Sequence, residues 1–286
     1  MKAAWIGLGA MGAPMAGHLA NNGHLAAVWN RTTAKAERFA SEHPRVRAAA
    51  SPEDASRDAD VIFICVSADD DLRWIIGQLE PVLGAGQIVV DHSTVAPSTA
   101  RDLADSLEDL GVAFIDAPVT GGVEGAINGQ LAIMAGGDER ALDQIRPVLA
   151  CYARVVHHLG PSGCGQAAKA VNQLMVAGIA EAVCESLALM ERLELPRDAM
   201  LEILGSGAAG NWFLDKRGAT MLDDAFDTGF DPKLLLKDLG ICETLCEEAG
   251  FDSAVVNQAL TDYSKLIEAG DNGGDISSLI RLKKHN

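Results

Sequence analysis

The chain has 286 residues, room for about two domains at 100–200 residues each. Apolar residues make up 48% and charged residues 22%, a globular balance that excludes a disordered chain. The formal charge of -17 is spread evenly, with net -8 over residues 1–161 and net -9 over the remainder. No basic face is left to follow a phosphate backbone, so nucleic acid is excluded as a partner.

Residues 1–7 enter a strand at once and leave no room for a signal peptide. The first 160 residues alternate short β-rich runs with helical patterns, which indicates a parallel sheet covered by helices on both faces. The strand candidates are residues 3–7, 26–30, 61–66, 88–91 and 112–116, then 131–135 and 155–159. Ser51-Pro52-Glu53 marks a helix start, with a capping hydroxyl before a proline at the first helical position.

After Gly165 the β signal ends. Residues 167–190 are the most apolar long stretch, but Lys169, Asn172, Gln173, Glu181 and Glu185 interrupt it. That pattern suits a buried helix of a soluble protein, with no membrane partner. Val171, Leu174, Met175, Gly178, Ile179 and Ala182 recur at three- and four-residue spacing along it. Pro196 stops the following turn, and Asp231-Pro232 caps a helix that runs to about Ala249 with Gly250 as its stop. The tail Lys283-Lys284-His285-Asn286 reads as a frayed end.

The expected fold is α/β, a Rossmann-type doubly wound parallel sheet followed by an all-helical second domain. Residues 1–161 form the dinucleotide-binding domain, 162–191 a long interdomain helix and 192–286 the helical substrate and oligomerisation domain. The six cysteines show neither C-x-x-C nor zinc spacing, so they are expected as reduced thiols in a cytoplasmic protein. Cys242 and Cys246 fall four apart on a helix, on its apolar stripe. The seven histidines show no ligand spacing, and no metal site is expected. His157 and His158 point to opposite faces of a strand, and His92 reads as structural or exposed.

Gly7-Leu8-Gly9-Ala10-Met11-Gly12 follows the first strand candidate and opens a helix. In such a loop Gly7 permits the tight turn, Gly9 lets the backbone approach a pyrophosphate, and Gly12 lets helix pack on strand. The helix N-terminus then offers N–H groups and a positive dipole end to the phosphates. The second strand ends in Trp29-Asn30-Arg31-Thr32, without the acid that receives a ribose 2′-hydroxyl. A guanidinium there suits a 2′-phosphate, so NADP is expected over NAD. Asp116-Ala117-Pro118-Val119-Thr120-Gly121-Gly122 follows another strand, and its glycines could aim backbone N–H groups at a carboxylate. Lys169 and Asn172 lie three apart on one face of the long helix.

These segments together resemble the β-hydroxyacid dehydrogenase family, which includes 3-hydroxyisobutyrate dehydrogenase, tartronate semialdehyde reductase and the glyoxylate/succinic semialdehyde reductases. The likeness covers nearly the whole length. It runs through Gly7-Leu8-Gly9-Ala10-Met11-Gly12 and on to Met15-Ala16, then Asp91-His92-Ser93-Thr94 with Pro97, then Asp116 to Gly122. It continues with Gly163, Gly165, Lys169 and Asn172 in G-x-G-x-x-x-K-x-x-N, and with Lys237-Asp238-Leu239. The resemblance implies Lys169 as the catalytic acid/base with Asn172 beside it. It implies that Thr120, Gly121 and Gly122 hold the substrate carboxylate, with Phe230 and Asp238 around the substrate. Toward the cofactor it implies the glycine loop, Asn30, Arg31, Thr32, Val66, Ser67, Thr94 and Lys237.

Two positions depart from the family pattern. Thr120 stands where serine is commoner, and Gln173 stands where some members carry a second asparagine. Trp212 and Phe213 fit domain packing or a narrowed pocket. The implied reaction is reversible reduction of a small carboxylate-bearing aldehyde or keto acid to a hydroxy acid, by a homodimer or homotetramer. Hydride arrival at a carbonyl leaves an oxyanion, which needs an acid within hydrogen-bond reach. The rival readings are an imine reductase, whose members generally lack the lysine present here, and a dinucleotide-binding module without a proton donor.

Overall fold

A computed structural model describes residues 1–226, 229–270 and 274–285. The chain divides into two compact units, Met1–Lys169 and Ala170–Asn286. In the first unit the order is β1 (Ala3–Ile6), α1 (Gly12–Asn21), β2 (Leu25–Trp29), α2 (Thr33–Glu42), β3 (Arg47–Ala48), α3 (Pro52–Ser56), β4 (Val61–Ile64) and α4 (Asp69–Leu79). There follow β5 (Ile88–Asp91), α5 (Pro97–Glu108), β6 (Ala113–Asp116), β7 (Val119–Thr120), α6 (Gly122–Ile127), β8 (Leu131–Gly137), α7 (Glu139–Leu149) and β9 (Ala153–His158).

The strands lie in the order β3-β2-β1-β4-β5-β6-β8-β7, with β9 also on β8. From β3 to β6 every pair is parallel, and the strand order reverses beside β1. This is the doubly wound arrangement, which binds ligands beyond the carboxyl ends of its strands. The sheet is not parallel throughout. Strand β8 runs antiparallel to β6 and β7, and β9 then runs parallel to β8. The two-residue strands β3 and β7 are too short to leave an alternating signal in the sequence.

Strands β1, β4 and β5 are buried along their whole length, so they read as apolar runs without alternation. Side chains on one face pack with α1 and α7, including Trp5, Met15, Leu19, Phe63 and Leu142. The opposite face packs Ile6, Ile62 and Ile64 against Leu72, Ile75 and Leu103 of α4 and α5. Ser51 caps α3 by accepting from Asp54 N, as its sequence indicates.

His92 is structural. It is 3% exposed, stacks on Phe63 with ring centroids 5.8 Å apart, and meets Tyr152 edge-on at 5.6 Å. Its Nδ1 lies 2.6 Å from Ala117 O and its Nε2 lies 2.7 Å from Tyr152 Oη. Burial lowers its pKa from 6.5 to about 4.

The second unit is helical: the long α8 (Cys164–Arg192) enters it, followed by α9 (Arg197–Ser206), α10 (Trp212–Leu222), α11 (Pro232–Glu248) and α12 (Ala254–Glu268). A short 3-10 turn (Ile276–Ser278) leads into α13 (Leu279–His285). Phe213, Leu235, Leu239, Tyr263 and Leu279 form its core with Ala177, Ala180 and Leu187 of α8. By length and hydropathy α8 could cross a membrane, but half of its apolar window is packed inside the protein. Asp231 caps α11 by accepting from Lys233 N. All six cysteines are free thiols, and Cys242 and Cys246 both pack in one small cluster of α8, α11 and α12. Among the described residues no group of His, Cys, Asp and Glu has the makings of a metal site.

The tail departs from its expectation. Residues up to His285 form α13, and the Lys283 ammonium is buried against Glu181, with Asp262 at 2.6 Å and Glu185 at 3.0 Å. A lysine-rich end looks solvated in sequence because the carboxylates that receive it lie 21 to 102 residues away. Asn286 lies outside the described residues.

The buried His92 predicts a signed pH dependence. Between the folded value near 4 and the unfolded value near 6.5, the unfolded chain binds the extra proton. The stability is present above pH 6.5 and is lost as the pH falls toward 4, by up to about 1.4 kcal/mol per pH unit. Thermal melting from pH 7 to pH 4 should show this slope, and His92→Gln should flatten it.

Candidate active site

The glycine loop begins where β1 ends. Gly7 has φ +98°, and a Cβ there would fall 2.1 Å from Cys65 O. A Cβ on Gly12 would fall 2.0 Å from Gly7 O, the same carbonyl that accepts from Trp5 Nε1 at 2.9 Å. These two positions are closed to any side chain. Gly9 differs, because a Cβ there would meet nothing within 4 Å. The space beside Gly9 is therefore open to a ligand, as an approaching pyrophosphate requires. Met11, at the N-cap of α1, makes no side-chain cap; in the first turn Ala13 N donates to Gly9 O at 3.0 Å and Pro14 has no N–H, so Gly12 N is the first-turn amide that faces an incoming anion. The loop fits a dinucleotide.

Asn30 acts through the loop. Its Oδ1 accepts from Leu8 N at 2.8 Å and its Nδ2 donates to Thr32 O at 3.1 Å, which ties the glycine loop to the end of β2. Arg31 is exposed, and its Nη1 donates to Asp71 Oδ1 at 2.8 Å in the first turn of α4. Thr32 is the N-cap residue of α2 but makes no side-chain cap. Val66 follows β4, and its amide donates to Ser93 Oγ at 2.9 Å; Ser67 beside it is exposed. Thr94 is half-buried after β5.

Two buried carboxylates stand side by side at the carboxyl edge, because Asp91 of β5 pairs in register with Asp116 of β6. Asp91 Oδ1 accepts from Ser93 N at 2.9 Å. Asp116 reaches the start of α8, where Gly163 N donates to Oδ1 at 2.8 Å and Gln166 N to Oδ2 at 2.9 Å. Burial holds the Asp116 pKa above the usual carboxylate value, and the amide donors offset only part of that rise. The Gln166 side chain completes the link by donating to Ser93 O at 2.8 Å and accepting from Val95 N at 3.2 Å. Gln166 and Asp71 are not marked in the sequence, and Ser93 is carried there only within the Asp91-His92-Ser93-Thr94 segment; for Gln166 an amide inside the G-x-G-x-x-x-K spacing was the available signal.

Three residues beyond Gln166, Lys169 is buried and donates from Nζ to Val119 O at 3.0 Å. The structure thus brings Lys169 to the head of the Thr120-Gly121-Gly122 segment. Thr120 pairs with Ala132 in the β7·β8 ladder. Gly121 and Gly122 both have positive φ, at +129° and +64°, and a Cβ on Gly122 would meet nothing within 4 Å. An ammonium and an open glycine turn therefore adjoin, which suits an anionic substrate with a carbonyl beside it.

The other sequence-predicted residues belong to the second unit. Asn172 follows Lys169 on α8, and its buried Oδ1 has no hydrogen-bond partner among the described residues. Gln173 Nε2 donates to Asp238 Oδ2 at 2.7 Å, and Lys237 Nζ lies 3.0 Å from Asp238 Oδ1. Asp238 is thus engaged by Gln173 and Lys237. Phe230 is held by its amide, which donates to Asp275 Oδ2 at 3.1 Å. Phe213 is core, whereas Trp212 is exposed, with the Arg217 guanidinium 5.7 Å from its ring.

Comparison with known proteins follows the same division. Residues 2–160 match the family model of the NAD binding domain of 6-phosphogluconate dehydrogenase. Residues 163–283 match the model of the NAD-binding domain of NADP-dependent 3-hydroxyisobutyrate dehydrogenase. An uncharacterised oxidoreductase of Shewanella frigidimarina is 41% identical, over 99% of this chain and 98% of its own length. An NAD-dependent L-serine dehydrogenase of Pseudomonas aeruginosa is 31% identical, over 98% and 96%. The structure of Mycobacterium tuberculosis 3-hydroxyisobutyrate dehydrogenase with L-serine superposes with a TM-score of 0.86 at 30% identity, covering 98% of each chain.

The Asp116 clamp predicts a stability effect. Asp116→Asn keeps the shape but turns one acceptor into a donor that faces a helix amide, so a charge-assisted bond is lost. Denaturant unfolding should show a loss of about 1.5–3 kcal/mol.

Proposed function

The chain belongs to the β-hydroxyacid dehydrogenase family and is an NAD(P)-dependent oxidoreductase of CH–OH groups; from that premise we propose that it interconverts a small carboxylate-bearing aldehyde or keto acid and its hydroxy acid, with NADP as cofactor and Lys169 as acid/base. The observation that carries this reading is the buried Lys169 ammonium on Val119 O, next to the Gly121-Gly122 turn.

The dinucleotide, when bound, supplies or accepts the hydride. Lys169 gives a proton to the carbonyl oxygen in reduction and takes one from the hydroxyl in oxidation. Val119 O accepts from the ammonium at 3.0 Å and so orients it. The Gly121 and Gly122 amides with the Thr120 hydroxyl hold the carboxylate, which fixes the carbonyl against Lys169. Asn172 carries an unsatisfied buried oxygen, which would accept from a substrate hydroxyl or from the ammonium. Asp238 orients Lys237 and Gln173, so its part is positioning.

Relatives named for 3-hydroxyisobutyrate and L-serine support a short β-hydroxy acid as substrate. Glyoxylate and succinic semialdehyde belong to the same class and are the further candidates. Arg31, with no acid at the end of β2, supports NADP. Val171, Met175 and Leu189 are exposed along α8 and support assembly of identical chains as a homodimer or homotetramer. The reading places the enzyme in the cytoplasm.

Lys169→Ala tests the proton donor. Turnover should fall by about 10²–10⁴-fold while NADPH binding stays near wild type. Lys169→Arg should rescue little, because a guanidinium holds its proton. An alanine variant that keeps its kcat while KM rises would make Lys169 a carboxylate anchor. Arg31→Ala tests the cofactor: NADPH should weaken by about 1.5–3 kcal/mol in a binding titration, with NADH almost unchanged. Replacing the substrate carboxylate by an amide should lower kcat/KM sharply; equal rates with plain aliphatic aldehydes would contradict the carboxylate turn.

A further inference from the structure

The partner of Arg31 carries information of its own. Arg31 leaves the carboxyl end of β2, whereas Asp71 lies in the first turn of α4, just after β4. Strands β2 and β4 flank β1 on its two sides. The 2.8 Å ion pair therefore bridges the two crossovers on either side of the glycine loop.

Asp71 is one of three consecutive acids, and they are not equivalent. Asp69 Oδ1 is occupied by Ala96 N at 2.9 Å and by Thr99 Oγ1 at 2.6 Å. Asp70 is exposed, and Asp71 receives Arg31. One turn further along α4, Trp74 packs on Trp29, the last residue of β2, with centroids 5.9 Å apart. The aromatic contact joins α4 to the end of β2, so the backbone that carries Asp71 is held beside Arg31.

We propose that Asp71 sets cofactor selectivity by serving as the counter-ion of Arg31 and by opposing a second anion at the same guanidinium. The inference rests on Arg31 as the 2′-phosphate ligand. A guanidinium has five N–H donors, and Asp71 takes one, so a 2′-phosphate can share the fork. It brings up to two negative charges close to the Asp71 carboxylate. A ribose 2′-hydroxyl is neutral, meets no repulsion, and can donate to a carboxylate. Asp71 thus narrows the preference for NADP that Arg31 creates, and it supplies from α4 the acid that the end of β2 lacks.

The test is direct binding, by calorimetry, of adenosine 2′,5′-bisphosphate and adenosine 5′-monophosphate, with NADPH and NADH in parallel. Asp71→Asn should tighten the bisphosphate and NADPH about three- to tenfold at low salt, as expected for charges a few ångströms apart in a water-like medium. The monophosphate and NADH should stay unchanged or weaken. The gain should shrink in high salt, and Asp71→Glu should keep the wild-type ratio. An unchanged ratio in Asp71→Asn, or a shift toward NADH, overturns the proposal. If Arg31→Ala still weakens the bisphosphate selectively in that case, Arg31 keeps its role and the proposal for Asp71 alone fails. If Arg31→Ala weakens both probes alike, the 2′-phosphate assignment fails and takes the proposal with it.

Discussion

Asp116 sits fully buried at the carboxyl end of β6, where it accepts from the Gly163 and Gln166 amides at the start of α8. A buried carboxylate is costly unless hydrogen-bonded, and a helix N-terminus is where a negative charge is best received. The surrounding glycines follow from this clamp. A Cβ on Gly165 would lie 2.5 Å from Asp116 O, and one on Gly136 would lie 2.6 Å from Asp116 Oδ1. The helix is thereby seated on the sheet in one rotation, and that rotation delivers Lys169 to Val119 O.

A second layer of polar contacts fixes the loops at the same edge. Asp91 holds Ser93, Ser93 Oγ holds the Val66 amide, and Gln166 spans Ser93 and Val95. Beneath it His92 stacks on Trp5 and Phe63 and meets Tyr152 edge-on. The arrangement preorganises backbone groups rather than leaving mobile side chains to find substrate, which suits a reaction whose main requirement is orientation. In the second unit Asp238 does a comparable task for Gln173 and Lys237.

Much of this was legible in the residues. The glycine loop announces itself because Gly7 and Gly12 meet backbone that no side chain could share. The parallel strands read as apolar runs, and Ser51 and Asp231 wrote their helix starts plainly. Other features were hidden for physical reasons. The reversal at β8 depends on pairing partners, not on the composition of residues 131–137. The ion pair of Arg31 with Asp71 was hidden because the two residues lie 40 positions apart. Lys283 looked solvated for the same reason. The Asn30 side chain also ties Leu8 to Thr32, a loop contact that no sequence spacing shows.

The central claim is that the Asp116 clamp presents the Lys169 ammonium to the reacting oxygen of a carboxylate-bearing substrate. A crystal structure with NADP and a short β-hydroxy acid tests it most directly. The account predicts the substrate hydroxyl within about 2.6–3.2 Å of Lys169 Nζ and the carboxylate on Thr120, Gly121 and Gly122. A hydroxyl bound by another donor, with the carboxylate on Lys169 instead, would contradict it.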